Sequence, residues 1–224
     1  MMVIMSIMTL NKKENGFTML ELVVYIGMSS IVLAAVMKVY VTNTYINSSQ
    51  KGMTEMFQNI RGAMQIMTRE IRMAGCDPLV TNKGRSVTSG DYLGFLDNSS
   101  DLLNTDDDSI HFTHDSTGEA DGWAYSENEN IAYYVKGTGS NKKLYRWCDI
   151  SKKEYLLATD IKEFKIEYYD DDGNKLNMAK DSSRANVRVV KISITGQTEK
   201  PDILSKKKKE AELTTYVRVR NLDL

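Results

Sequence analysis

Glu21 is the single charged residue in an apolar run that extends from Phe17 to Met37. A carboxylate at membrane depth is costly and normally has a partner, yet no Lys, Arg or His stands between Glu21 and Lys38. As a helix rising ~1.5 Å per residue, the run reaches roughly 31 Å, about one hydrocarbon core. Lys12 and Lys13 precede it, which orients the N-terminus toward the cytoplasm by the positive-inside rule. A secretory signal would place its small residue after the apolar core. Here Gly16 comes before it.

Other residues could also do chemistry. Cys76 and Cys148 are the only two cysteines. They are too far apart for a CxxC site, but could form one long-range disulfide if the domain is exported. Loop-closure entropy would make such a bond worth about 4 kcal/mol; two separate thiols are the alternative. Asp170, Asp172 and Asn174, in the run "DDDGN", are weak candidates for calcium ligands. An EF-hand loop starting at Asp170 needs glycine sixth and glutamate twelfth, where Lys175 and Asp181 stand, so a solvated hairpin turn is the plainer reading. His111 and His114, three apart in a strand, point to opposite faces and cannot share a metal. No GxSxG, HExxH or phosphate-cradling loop occurs. Neither an enzyme nor a cofactor is expected. Lys206 to Lys209 form a short basic run, and the net charge is only −1; nucleic acid is therefore an improbable partner.

The elements that position these residues follow from periodicity. After Lys38 the helix continues as an amphipathic one. Met53, Phe57, Ile60, Met64, Met67 and Ile71 mark one apolar stripe, and Gly75 and Pro78 stop it. One helix is expected over about 18–74, near 85 Å if unbroken at ~1.5 Å per residue. Beyond Pro78 lies a Gly-, Asn- and Ser-rich region to about Asp108. Strand patterns then appear in "SIHFTH", in the hairpin "NIAYYVKGTGSNKKLYRWC", in "DIKEFKIEYYDDDGNKL", in "ANVRVVKISITG" and in "TTYVRVRNLDL". A long helix before antiparallel strands makes an α+β domain, with the sheet laid over the apolar stripe.

"KKENG" followed by "FTMLEL" resembles the leader of type IV prepilins and type II secretion pseudopilins. The resemblance implies a prepilin peptidase that cuts between Gly16 and Phe17 and N-methylates Phe17. Glu21 then becomes the fifth residue of the mature chain. It also implies a partner for Glu21: the α-amino group of Phe17 on a neighbouring subunit, exposed only by cleavage. A buried carboxylate is tolerable when so paired; a shallow Glu21 at the headgroups would need no partner. The first ten residues suit such a leader poorly, and Met8 would be a better start.

"MTREIRMAGCDP", the hairpin ending "LYR", then "FKIEYYDDDGN" and "YVRVRNL" are similar, in that order, to PilW-type minor pilins and to the pseudopilin GspJ. The resemblance implies a type IV pilin-like fold in four parts. These are a leader at 1–16, a transmembrane and filament-core helix at 17–37, an amphipathic spine at 38–75 and a periplasmic β-rich domain at 76–224. It further implies a minor pilin of a tip complex that primes assembly. Its partners would be the prepilin peptidase, other minor and major pilins, an inner-membrane assembly platform and the inner membrane, before display on a surface pilus. A GspJ-like pseudopilin is the alternative. A tip adhesin or DNA-uptake receptor with binding loops at 79–104 is a second one. Motility, adhesion and uptake are not separated by sequence.

Overall fold

The structure is a computed structural model that describes residues 16–79, 93–96, 105, 108–115, 123–124, 128–139, 142–148, 150–178, 181–203 and 205–220. The chain divides into two compact units, Met1–Ser48 and Ser49–Leu224. Helix α1 covers Met19–Ile71. Six strands follow: β1 (Ser109–Thr113), β2 (Asn130–Lys136), β3 (Lys142–Cys148), β4 (Lys153–Tyr169), then a short helix α2 (Asp181–Arg184), β5 (Val189–Gln197) and β6 (Glu210–Arg218). All pairings are antiparallel and the spatial order is β1-β2-β3-β4-β5-β6, so each strand lies beside its sequence neighbour. The expected α+β arrangement, a long helix and then an antiparallel sheet, is the observed one.

The core of the second unit lies between the end of α1 and one sheet face. Ile60, Met67 and Ile71 from the helix and Ile110, Phe112, Ile131, Ile166, Ile192 and Ile194 from the strands lose essentially all solvent contact. Strand β5 alternates buried and half-buried positions, as a strand with one packed face must. Gly196 marks the closest approach of helix and sheet. A Cβ there would lie 2.9 Å from Ile60 Cγ2 and 3.1 Å from Met56 Cγ.

The helical stripe differs from its sequence reading. Met53 and Phe57 are only half-buried, whereas Met56, Ala63 and Ala74 are buried. A stripe stepping by 3.5 residues drifts around a 3.6-residue helix by ~20° per heptad, so the buried line shifts to Met56 at its far end. The helix closes with tighter bonds, from Met73 N–H to the Glu70 carbonyl and from Ala74 N–H to the Ile71 carbonyl. Gly75, at φ 72°, then turns the chain away.

Two strands also differ from expectation. β4 is long because it serves two partners: Lys153 to Ile161 pairs with β3, and Ile161 to Tyr169 with β5. Asp160, at φ 55°, and a register shift mark the bend between them. β6 begins at Glu210 rather than Thr214, since "EAEL" completes a nine-residue ladder with β5. Phe95 lies in the Gly-, Asn- and Ser-rich region, for which no strand is expected. It bridges to Phe112 and packs edge-on against the Phe112 and Tyr168 rings at 6.3 and 6.0 Å.

Candidate functional site

Gly16, Phe17 and Thr18 precede α1 without regular structure and are exposed. Thr18 starts the helix. Its hydroxyl accepts the Glu21 N–H at 3.3 Å and its carbonyl accepts the Leu22 N–H at 3.2 Å. It is therefore the N-cap, with Glu21 three residues on. The spacing Thr18-x-x-Glu21 is that of a capping box, a local signal that the sequence reading passed over. Glu21 is the acidic residue of the first turn, where the partial positive charge of the helix N-terminus favours a carboxylate. In the isolated chain this field supports Glu21 before any second subunit does.

A Cβ added at Gly16 meets nothing within 4 Å. The fold itself makes no demand for glycine at this position, so a demand for a small side chain would have to come from an enzyme that handles the segment. The helix beyond is apolar on every side and unburied: Met19 is 88% exposed, Ile31 73% and Leu33 66%. By length and composition α1 can cross a membrane. Ser30 suits that setting, because its hydroxyl donates to the Ile26 carbonyl at 2.7 Å. A hydroxyl satisfied by its own helix enters lipid without losing a hydrogen bond.

The expected disulfide is overturned: no bond joins Cys76 to Cys148. Cys148 pairs across to Ile131 on β2, and Ile131 pairs to Phe112 on β1. That sets Cys148 two strand spacings from β1, roughly 10 Å. Cys76 sits by β1, its carbonyl accepting the Asp115 N–H at 2.9 Å after Gly75 N–H has bonded the Thr113 carbonyl. Disulfides need Cα atoms within about 7 Å, and β2 stands between. Burial first, then the Asp115 and Asp77 carboxylates, push the Cys76 thiol up, which lowers its reactivity.

Asp170 is engaged within its own turn. Its carboxylate accepts the Asn174 N–H at 2.7 Å and the Asn174 side-chain amide at 3.0 Å, and these bonds hold it below the usual carboxylate range. Gly173, at φ 82°, closes the turn, and Asp171 pairs with Arg218 at 2.8 Å. His111 Nε2 meets Asn130 Oδ1 at 2.7 Å, while the His114 ring stacks on Phe112, so the two face opposite sides. In the lysine run, Lys208 lies 3.7 Å from Asp160 and Lys209 3.3 Å from Asp202. Of the 79–104 loops, only 79 and 93–96 are among the described residues, and the first ten residues, Met8 included, lie outside them.

One cluster was missed altogether. Arg146 Nε donates to Glu70 Oε2 at 2.9 Å, with the Arg146 side chain 9% and the Glu70 side chain 15% exposed. The Tyr133 hydroxyl donates to the same carboxylate oxygen. Burial first, then Glu70, push that hydroxyl well above its ordinary value, which keeps it a donor. The signal was present: Leu144, Arg146 and Cys148 alternate along β3 and all are buried. A charge among core-facing positions calls for a buried counter-charge, and Glu70 near the end of α1 supplies it.

No curated protein is detectably similar to this chain in sequence. Among solved structures, the chain is similar to a type IV-like pilin from Thermus thermophilus, with 10% identity and a TM-score of 0.40, over 74% of this chain and 97% of that one. At that score the likeness shows nothing further. The family model for the prokaryotic N-terminal methylation motif matches residues 11–37, the stretch that holds Gly16, Phe17, the Thr18 cap and Glu21. The start of this chain therefore carries the prepilin-like N-terminal methylation motif.

Proposed function

We propose that this chain is a minor pilin of a type IV pilus, of the PilW kind, acting as a non-catalytic subunit of a tip complex that primes assembly. One observation carries the reading. Gly16 and Phe17 precede, and Glu21 sits in the first turn of, a helix that exposes apolar side chains on every face. A helix apolar all round is stable only in lipid or among other such helices. A prepilin peptidase in the inner membrane removes residues 1–16 and methylates the Phe17 nitrogen. The new ammonium faces Glu21 of a neighbouring pilin, which makes both charges tolerable away from water. Membrane helices then dock side by side, and the assembly platform extracts them into the filament. Along the sheet side, the apolar stripe of α1 and the Glu70–Arg146 pair keep the exported domain attached to its helix.

The test has two stages. N-terminal sequencing and mass measurement of the protein extracted from membranes should find Phe17 first and carrying a methyl group; an intact leader in cells that hold the peptidase would overturn the prepilin reading. Deleting the gene should then lower the number of surface pili. Normal pili with loss of secreted exoproteins would assign the chain instead to a GspJ-like pseudopilin.

A further inference from the structure

The two edges of the sheet are treated differently. On β1 the outer edge is covered: Leu96 N–H bonds the His111 carbonyl at 2.9 Å, Thr113 N–H bonds the Gly94 carbonyl at 2.8 Å, and Gly75 N–H takes the Thr113 carbonyl at 3.0 Å. On β6 no backbone bond to the outer edge of 211–217 occurs among the described residues. Open edges are normally blunted by proline, lysine, a bulge or an inward-pointing charge. β6 has no proline, lysine, bulge or inward-pointing charge; its charged residues, Glu210, Glu212 and Arg218, are all exposed. It is nine residues long and pairs with β5 without a register shift.

Beside this edge runs a groove of about 420 Å³ between β6 and the flank of α1, lined by Leu213 and Thr215 on one side and Arg61, Thr68, Arg69 and Arg72 on the other. The three arginines are exposed, and none forms an ion pair among the described residues. From Arg61 to Arg72 the row covers roughly 16 Å of helix. Guanidinium groups are matched to carboxylates by their forked geometry.

We propose that the β6 edge and this arginine row form one docking site for an extended acidic segment of a partner protein, added as a seventh antiparallel strand. Its backbone completes the β6 ladder, and its helix-facing side chains are carboxylates that meet Arg61, Arg69 and Arg72. Alternate residues of a strand repeat every ~7 Å, so acids at every second position can serve a row of that length. This is strand addition, with main-chain bonds for affinity and side chains for selection. A second copy of β6 does not fit. Its helix-facing positions, in register with Val190, Ile192, Ile194 and Gly196, are Val217, Thr215, Leu213 and Ala211, with no carboxylate among them. Nucleic acid would use the arginines and leave the ladder unmade. The site depends only on the edge and the arginines, and stands whichever filament the chain joins.

The test uses the full-length protein in detergent and a fluorescent, end-blocked nonapeptide that alternates glutamate with threonine. Controls replace glutamate by lysine, or threonine by proline at unchanged charge, and a single-stranded DNA oligonucleotide is the fourth probe. The acidic peptide should bind, weaken as salt is raised, and shift the backbone amide resonances of 211–217. The double substitution Arg61→Glu, Arg69→Glu should weaken it at least tenfold while the circular dichroism of the protein stays unchanged. The lysine and proline peptides should not bind. Equal binding of the proline peptide would reduce the site to bare electrostatics and overturn strand addition. Binding of DNA but not of the acidic peptide, or of no probe at all, would overturn it as well.

Discussion

From Met19 to Val41 the large apolar side chains of α1 are exposed, Ile31 at 73% and Val39 at 61%, whereas Ile60, Met67 and Ile71 later in the same helix reach 0%. Backbone geometry is the same in both stretches. They differ in how apolar residues are spread around the axis. In the first stretch they cover every face, and no single sheet can bury a full cylinder. In the second they form one stripe with Arg61, Arg69 and Arg72 kept outside it, and one sheet face suffices. Secondary structure alone therefore says little about what surrounds a helix; the angular distribution of its side chains says a great deal.

Substitutions matched across the two stretches should separate them. Ile60→Ala is expected to destabilise the folded domain by about 3 kcal/mol, the usual cost of emptying a core position. Ile31→Ala should leave it unchanged. Denaturant titration of the full chain in detergent, followed at the tryptophans, reads both, and equal losses would dissolve the distinction.

Glu70→Gln removes one member of a mostly buried pair and leaves the Arg146 charge with a weaker acceptor. The expected loss is about 2 to 3 kcal/mol, read by the same titration. A triple change, Glu70→Leu with Arg146→Met and Tyr133→Phe, which also removes the hydroxyl that donates to Glu70, should recover part of it.

Gly196→Ala sharpens the comparison from the sheet side. Its Cβ would sit 2.9 Å from Ile60 Cγ2 and 3.1 Å from Met56 Cγ, so helix and strand must separate at a cost of about 1 to 2 kcal/mol. Gly27→Ala, where a Cβ meets nothing within 4 Å, should be neutral or slightly stabilising through helix propensity.

Glu21→Ala should change domain stability by less than about 0.5 kcal/mol, the scale of an exposed charge near a helix terminus. Processing after Gly16 should continue. The defect should appear only as a smaller share of the subunit in sheared filaments relative to the membrane pool; equal shares would show that Glu21 has no cross-subunit role.

The smallest effect concerns acid. Lys175 and Lys191 hold the Glu167 carboxyl down to about 2. Its folded value lies below its unfolded one, so this contribution is complete above the ordinary glutamate range and is lost as pH falls toward about 2. Domain stability should fall over that window, and less so in Glu167→Gln. Full acid sensitivity in Glu167→Gln would assign the effect to other groups.

Much of the molecule follows from the sequence alone, because the controlling interactions are local. The order Gly16, Phe17, Glu21 and apolar run is a contiguous pattern. The stripe through Ile60, Met64, Met67 and Ile71 is set by the helical repeat. Strands β1 to β5 announce themselves by alternation and by turn residues such as Gly173. Even the Thr18 cap was legible from its three-residue spacing to Glu21. What tertiary structure decided depends on registers between strands distant in sequence, which no short-range period encodes. Register placed β2 between the regions of Cys76 and Cys148 and so kept the two thiols apart. It brought Arg146 and Tyr133 to Glu70, drew Glu210 to Leu213 into β6, and left the outer edge of that strand, beside three arginines, without a backbone partner among the described residues.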